Sequence, residues 1–183
     1  MKKMLAFISI ISIIGVLASC RKEEATTELK PETCEQMEPC KTALKYATYV
    51  ERGANDKAYK LENKVDNLAS YDSLAEAKDD ISSDYKQYQH QKIKDYGALE
   101  YKLVSNKKYI YKFKYRDFRT AELKNFTVGV SKKGHKYLTN EYFSGASKHD
   151  VTENGEVVSH KRYYSEGLTQ QEKTDLTPLP IEK

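Results

Sequence analysis

The stretch Lys108-Tyr-Ile-Tyr-Lys-Phe-Lys-Tyr-Arg116 decides the fold of this chain. Tyr109, Tyr111, Phe113 and Tyr115 alternate with Lys108, Lys112, Lys114 and Arg116, and Ile110 is the exception. Because successive side chains of a β-strand point to opposite faces, this alternation predicts a strand with one buried and one solvated face. We expect the aromatic stripe in the core and the basic row on the surface.

Each row also has a second interpretation. Alternate residues of a strand lie about 7 Å apart, close to the spacing of sugar rings, so the aromatic stripe is also a candidate binding platform. Core packing is favoured because this is the best-defined apolar face in the sequence. The basic row is a candidate contact for acidic glycans, lipid head groups or a protein, and its alternative is a plain solvated face.

Further strands flank this stretch, at residues 98–104, 126–130, 136–143 and 157–164. Asn154-Gly155 predicts that the last of them forms a hairpin with residues 148–151. Together the patterns predict an antiparallel sheet of about four to six strands.

Helical periodicity comes before the sheet. Apolar residues recur at helical spacing over residues 41–53 and 55–68, and a capping box at Ser73 and Glu76 starts a third helix that extends to Tyr96. Helices followed by an antiparallel sheet predict an α+β fold with the helices packed on one face of the sheet.

Two segments carry a resemblance to a known fold. Ala43-Leu-Lys-Tyr-Ala-Thr-Tyr-Val50, followed by Gly53-Ala-Asn-Asp-Lys-Ala-Tyr59, looks like the opening of cystatin-like or NTF2-like lipoprotein domains. Residues 126–138 are similar to the strand pair that closes such sheets, although Tyr137 stands where the family usually has Trp. The resemblance implies a curved sheet, and an alternative function as a small-molecule or glycan binder, or less readily an enzyme. Either would need a cavity lined by tyrosines with a buried carboxylate or histidine.

The N-terminus resembles a bacterial lipoprotein signal. Lys2 and Lys3 precede an apolar segment, residues 5–17, that is too short to span a bilayer. Leu17-Ala-Ser-Cys20 resembles a lipobox, which implies diacylglycerol on the Cys20 sulfur and cleavage before it. Two or three acyl chains would hold the protein durably on a bilayer. The alternative is an ordinary secreted protein with a chance cysteine.

The residues after Cys20 indicate where the protein lies. Arg21-Lys-Glu-Glu24 resembles the surface-export signal of Bacteroidota lipoproteins, and no Asp follows Cys20, so we expect the outer membrane or cell surface. Polar residues continue beyond this point and predict a tether. The expected organisation is a signal peptide at 1–19, a tether at 20–40, a single α+β domain at 41–167 and a polar tail at 168–183.

Cys34 and Cys40 remain once Cys20 is assigned to lipid. Export places them in an oxidising compartment, so a disulfide is favoured over two free thiols. A metal site is less favoured, because no His or third Cys lies nearby.

Composition limits the classes of partner. Without Lys2 and Lys3 the chain has 29 basic and 27 acidic side chains, a net charge of +2, which argues against a nucleic-acid partner. Tyrosine is abundant, with 15 Tyr, 5 Phe and no Trp. Such a composition suits a core whose margin stays in contact with water.

Catalytic motifs do not stand out in the sequence. It contains no nucleophile elbow, phosphate-binding glycine loop or His-Glu-x-x-His helix, and its four histidines have polar neighbours. We therefore expect no catalytic residue, cofactor or metal. The predicted function is a membrane-anchored envelope lipoprotein with a non-catalytic binding or assembly role, its partner an envelope protein or a glycan.

Overall fold

The computed structural model describes residues 33–64, 70–103, 108–143 and 157–180, without the side chains of residues 141–143 and 157–159. The signal peptide, Cys20, most of the tether and residues 148–155 of the last hairpin lie outside these ranges. The predictions made for those segments stay predictions.

Five antiparallel strands form one sheet in the order β4-β3-β2-β1-β5. The strands are β1 (Tyr96–Leu103), β2 (Lys108–Arg116), β3 (Leu123–Lys133), β4 (Lys136–Phe143) and β5 (Val157–Tyr164). The α+β class, the antiparallel sheet and the number of strands are therefore confirmed, whereas the cystatin-like or NTF2-like resemblance stays a prediction.

The central strand β2 has the predicted alternation. Tyr111 and Phe113 are fully buried and Tyr115 is 1% exposed, while Tyr109 lies half-buried at the margin of the core. Ile110 interrupts the basic row because it packs in a small apolar cluster on the opposite face of the sheet, with Leu99, Tyr101 and Leu103. Both faces of β1 are consequently buried, which alternation alone does not predict.

The last strand pairs differently from a simple hairpin. Within the described residues β5 pairs with β1, so that Tyr163 lies opposite Ala98 and Lys161 opposite Glu100. A turn signal such as Asn154-Gly155 reports only a local chain reversal, whereas this pairing depends on the free edge that β1 offers.

Helices cover one face of the sheet. They are a 3-10 turn (Cys34–Gln36), α1 (Glu38–Glu51), α2 (Asn55–Tyr59), α3 (Leu74–Asp79) and α4 (Tyr85–Tyr88). The longest, α1, packs Ala43, Leu44 and Ala47 into the core against β2, β3 and β4. Its Tyr46 ring meets Phe126 of β3 at 6.0 Å between centroids.

Two predicted helices are shorter than expected. The second ends at Tyr59, and Glu62 then lies beside Thr139 in a parallel bridge at the edge of β4. The third begins as predicted, with the Ser73 hydroxyl accepting the Glu76 N–H at 3.1 Å, but ends at Asp79. The Asp and Ser side chains that follow bond to other side chains: the Asp80 carboxylate accepts from Asn55 Nδ2 at 3.0 Å, and the Ser82 hydroxyl donates to Asp84 at 2.5 Å. The Ser82 N–H donates to the Gly53 carbonyl at 3.0 Å.

The folded domain starts earlier than position 41. Cys34 and Cys40 were assigned to the tether, yet both are fully buried in the core and are joined by a disulfide. The reason is that the pair closes a short loop whose apolar sulfurs fill space between α1 and the sheet.

The domain also continues beyond position 167. Residues assigned to a polar tail form α5 (Gln170–Asp175), with Thr169 and Glu172 in a capping box, followed by Leu176 at 1% exposure. The chain passes so close to β1 that a Cβ at Gly97 would lie 2.2 Å from the Leu176 carbonyl oxygen. The polar composition of this segment gave no indication that Leu176 is buried or that Gly97 allows the chain to pass close to β1.

Candidate functional site

The sheet face opposite α1 carries the predicted basic row and further cations from other strands. We call it the basic face, and its cations are Lys108, Lys112, Lys114, Arg116, Lys133, Lys136 and Arg162. None of the strand residues whose side chains the structure describes on this face is Asp or Glu. The sequence row on β2 is therefore one part of a wider array.

Cross-strand register sets the layout of the basic face. Leu99 of β1 lies opposite Lys112 on one side and Arg162 on the other. Because neighbouring strands are about 4.8 Å apart, these two cations flank Leu99 at a separation of about 10 Å. Along β2, Lys112 and Lys114 are one alternate step apart, about 7 Å. Positive charge thus extends both along and across the strands.

The basic row is less exposed than expected. Lys108, Lys112 and Lys114 are half-buried, and only Arg116 of the predicted row is exposed. The apolar cluster around Ile110 lies between the cations at 1% exposure. The cationic groups thus surround a buried apolar centre and do not form a simple exposed ridge.

One polar atom on the basic face lacks a partner. Thr127 of β3 lies opposite Lys112 and is fully buried. Its hydroxyl makes no hydrogen bond in the part of the chain that the structure describes. A buried hydroxyl without a partner costs free energy.

The C-terminal helix touches one corner of the basic face. Hydrogen bonds from the Thr169 hydroxyl and backbone N–H lower the pKa of the Glu172 carboxyl, and the positive charge of Arg116 adds to this effect. Arg116, Lys112, Lys114 and Arg162 make no ion pair with any described residue.

The helix-covered face carries a second cluster, formed by Glu100, Tyr109, Tyr111, Tyr137 and Tyr163. The Glu100 carboxylate, 7% exposed, accepts hydrogen bonds from the hydroxyls of Tyr111 at 2.5 Å and Tyr163 at 3.0 Å. Tyr109 stacks on Tyr111 at 6.1 Å and meets the Tyr137 ring edge-on at 6.2 Å. We call this group the tyrosine–glutamate cluster.

Burial and charge change the acidity of these phenols. Burial raises the pKa of Tyr111, and the Glu100 carboxylate raises it further by charge and by hydrogen bonding. Burial also raises the pKa of Tyr109, with contributions from Tyr137 and Glu100. The phenols therefore stay protonated and act as hydrogen-bond donors.

Other tyrosines of the core follow the same arrangement. The Tyr46 hydroxyl donates to Glu62 at 2.7 Å, the Tyr115 hydroxyl to Glu51 at 2.5 Å, and the Tyr96 hydroxyl to Glu35. A buried phenol needs an acceptor, and carboxylates from distant segments supply it here. The tyrosine content indicated a polar margin, but no local pattern could identify these acceptors.

A groove of about 410 Å³ lies at the end of the sheet where the described chain begins. It is lined by Thr33, Glu35, Lys92, Ile93, Lys94, Ser165 and Glu166. Its rim carries charges of both signs, so it selects neither anions nor cations.

No described histidine belongs to the basic face's row of cations or to the tyrosine–glutamate cluster. His90, His135 and His160 are exposed, and His149 lies outside the described residues. Within the described ranges no group of three His, Cys, Asp or Glu side chains is arranged to hold a metal. The same residues include no helix long and apolar enough to cross a membrane.

Sequence reasoning missed Glu100, Tyr163 and Arg162. Glu100 stands between Leu99 and Tyr101, and an alternating strand would direct it to solvent. Tyr163 and Arg162 enter the clusters only through the pairing of β5 with β1. Comparison with protein-family models, curated proteins and solved structures found no match to this chain.

Proposed function

We propose that this protein is a lipid-anchored lipoprotein of the outer membrane or cell surface, and that its domain binds an acidic envelope partner without catalysis. The observation that carries this proposal is the basic face. Its seven cations lie on four strands, and none of the side chains that the structure describes around them on this face is a carboxylate.

Charge segregation is what makes this face unusual. The chain without its signal peptide has a net charge of only +2, so a general excess of lysine does not explain the array. Opposite charges attract most strongly where the local dielectric is low. Lys112 and Lys114 are half-buried residues beside an apolar centre, and they meet that condition better than fully exposed lysines do.

Cross-linking in intact envelopes tests the binding role. A photo-reactive residue at the exposed position His160, which shares the basic face with Lys112, should capture a partner. Capture should fall when Lys112, Lys114 and Arg162 are all replaced by Gln. The matched control replaces three exposed lysines elsewhere, Lys78, Lys86 and Lys94, with the same loss of charge. Equal capture by both triple variants would overturn the proposal.

Fractionation tests the anchor. Cys20→Ser removes the sulfur that would carry the lipid, so the variant should leave the membrane fraction after a high-salt wash while the natural chain stays. A variant that remains with the membranes contradicts lipid anchoring through Cys20.

A further inference from the structure

The tyrosine–glutamate cluster contains an acceptor that the protein leaves open. Both phenol hydrogen bonds end on the same oxygen of Glu100, Oε2. The other oxygen, Oε1, accepts no hydrogen bond from any described residue and is not one of the fully buried unpaired atoms, so solvent reaches it although Glu100 as a whole is only 7% exposed. A carboxylate has room for about four donors, so this accessible oxygen can accept a hydrogen bond from a ligand.

Aromatic surface lies next to this acceptor. Tyr109 and Tyr137 are half-buried at the margin of the core. The Tyr109 ring stacks on Tyr111, whose hydroxyl donates to Glu100, so Tyr109 lies next to the residue that binds the carboxylate. Rings beside a hydrogen-bond acceptor are the common elements of a small-ligand site. A sugar matches them, because its C–H face stacks on a ring while its hydroxyls donate.

The lysines around the tyrosine–glutamate cluster favour a ligand with a negative charge. Lys102 lies opposite Tyr109, and Lys161 lies opposite Glu100. The Lys161 ammonium is 5.2 Å from the Tyr163 ring centroid, and that of Lys132 is 5.8 Å from the Tyr137 ring centroid. These cations repel an organic ammonium ion and attract a carboxylate.

We propose that the tyrosine–glutamate cluster is a second binding site, for a sugar that carries a carboxylate. A sugar hydroxyl donates to Glu100 Oε1, the ring stacks on Tyr109, and the sugar carboxylate pairs with Lys102. This site lies on the helix-covered side of the sheet and does not depend on the basic face.

Tyrosine NMR tests the proposal in the folded, disulfide-bonded domain without its signal peptide. The probe is a tetrasaccharide that contains glucuronic acid, and the comparison ligand is neutral maltotetraose. Titration to about 1 mM, an affinity of about 4 kcal/mol, should shift the ring signals of Tyr109, Tyr111, Tyr137 and Tyr163. The rings of Tyr115 and Tyr96 should not move. Absence of shifts with the acidic probe, or equal shifts with the neutral one, overturns the proposal.

Variants separate this site from the basic face. Glu100→Gln should weaken binding of the acidic probe by about tenfold, because a neutral amide oxygen accepts a weaker hydrogen bond than a carboxylate does, and Tyr109→Ala should do the same by removing the ring. Tyr109→Phe keeps the ring, preserves the fold and should retain most of the binding. Tyr115→Phe is the matched control, because it removes a phenol bonded to Glu51 and should bind normally. Binding that is lost in the triple Gln variant of the basic face but kept in Glu100→Gln contradicts the proposal.

Discussion

The two faces of this sheet handle polar groups in opposite ways. On the helix-covered face, buried phenols are bonded to carboxylates, as in the pairs Tyr46 with Glu62 and Tyr115 with Glu51. On the basic face, Lys112 and Lys114 have no ion-pair partner among the described residues, and the Thr127 hydroxyl is unsatisfied. The difference teaches that polar groups on the helix-covered face contribute to the stability of the domain, whereas Lys112 and Lys114 form no ion pair with a described residue that would do so.

Truncation on the two faces should therefore have very different effects on stability. Phe113→Ala removes a fully buried ring from the helix-covered face and should lower the free energy of unfolding by about 3–5 kcal/mol. Lys114→Ala, from the next position of the same strand, should change it by about 0.5 kcal/mol or less. Urea unfolding followed by circular dichroism measures both. Similar losses of unfolding free energy in the two variants would contradict the difference between the two faces.

The disulfide at the edge of the helix-covered face should have the next largest effect. Replacing Cys34 and Cys40 together by Ala removes a closed loop with a sequence separation of 6. The chain-entropy relation gives a loss of about 2 kcal/mol for a loop of this size. Thermal unfolding of the double variant, compared with the natural domain under oxidising conditions, tests this value. An unchanged midpoint would show that the segment 33–40 adds no stability.

Removal of a single hydroxyl should have opposite signs on the two faces. Tyr46→Phe deletes a donor to the buried Glu62 carboxylate and should cost about 1.5–3 kcal/mol, the range for hydrogen bonds to charged groups. Thr127→Val deletes an unpaired hydroxyl and should be neutral or stabilise by about 1 kcal/mol. Chemical denaturation of both variants in the same buffer decides the signs. A clear loss of stability for Thr127→Val would mean that its hydroxyl is satisfied.

The smallest expected effect concerns pH. Burial by itself would raise the pKa of the Asp117 carboxyl, but hydrogen bonds from Lys124, the Arg119 N–H and Thr120 hold it below its usual value. The Asp117 hydrogen bond raises the pKa of Lys124 above 10.5, although burial opposes this. A carboxyl whose pKa is lower in the folded state stabilises the fold at pH values above its unfolded pKa of 3.8. A lysine whose pKa is higher in the folded state stabilises the fold at pH values below its unfolded pKa of 10.5.

This ion pair should therefore stabilise the domain from about pH 4 to about pH 10. Its contribution is lost as the pH falls through the folded pKa of Asp117 or rises through that of Lys124. Asp117→Asn should flatten the acid side of a plot of unfolding midpoint against pH, whereas Asp56→Asn, at a surface ion pair of 3.5 Å, should not. If the unfolding midpoint falls equally steeply at acid pH in both variants, this explanation is wrong.

The predictable part of the fold is the part that local periodicity reports. The alternation of Tyr111, Phe113 and Tyr115 identified the central strand because a period of two needs no knowledge of distant partners. The Glu100 cluster was not predictable, because its donor Tyr163 lies 63 positions away and arrives through the β5 edge pairing. The basic row was found on β2, but its extension to Arg162 depends on the same long-range pairing.

The covalent bond between Cys34 and Cys40 also has a mechanical consequence. A pull on the chain before Thr33, as a membrane anchor would transmit, reaches Cys34 and crosses the disulfide directly to α1. Residues 35–39 are bypassed, so the contact between Glu35 and Tyr96 carries no tension. The load therefore enters the longest helix of the domain and bypasses the segment between the two cysteines.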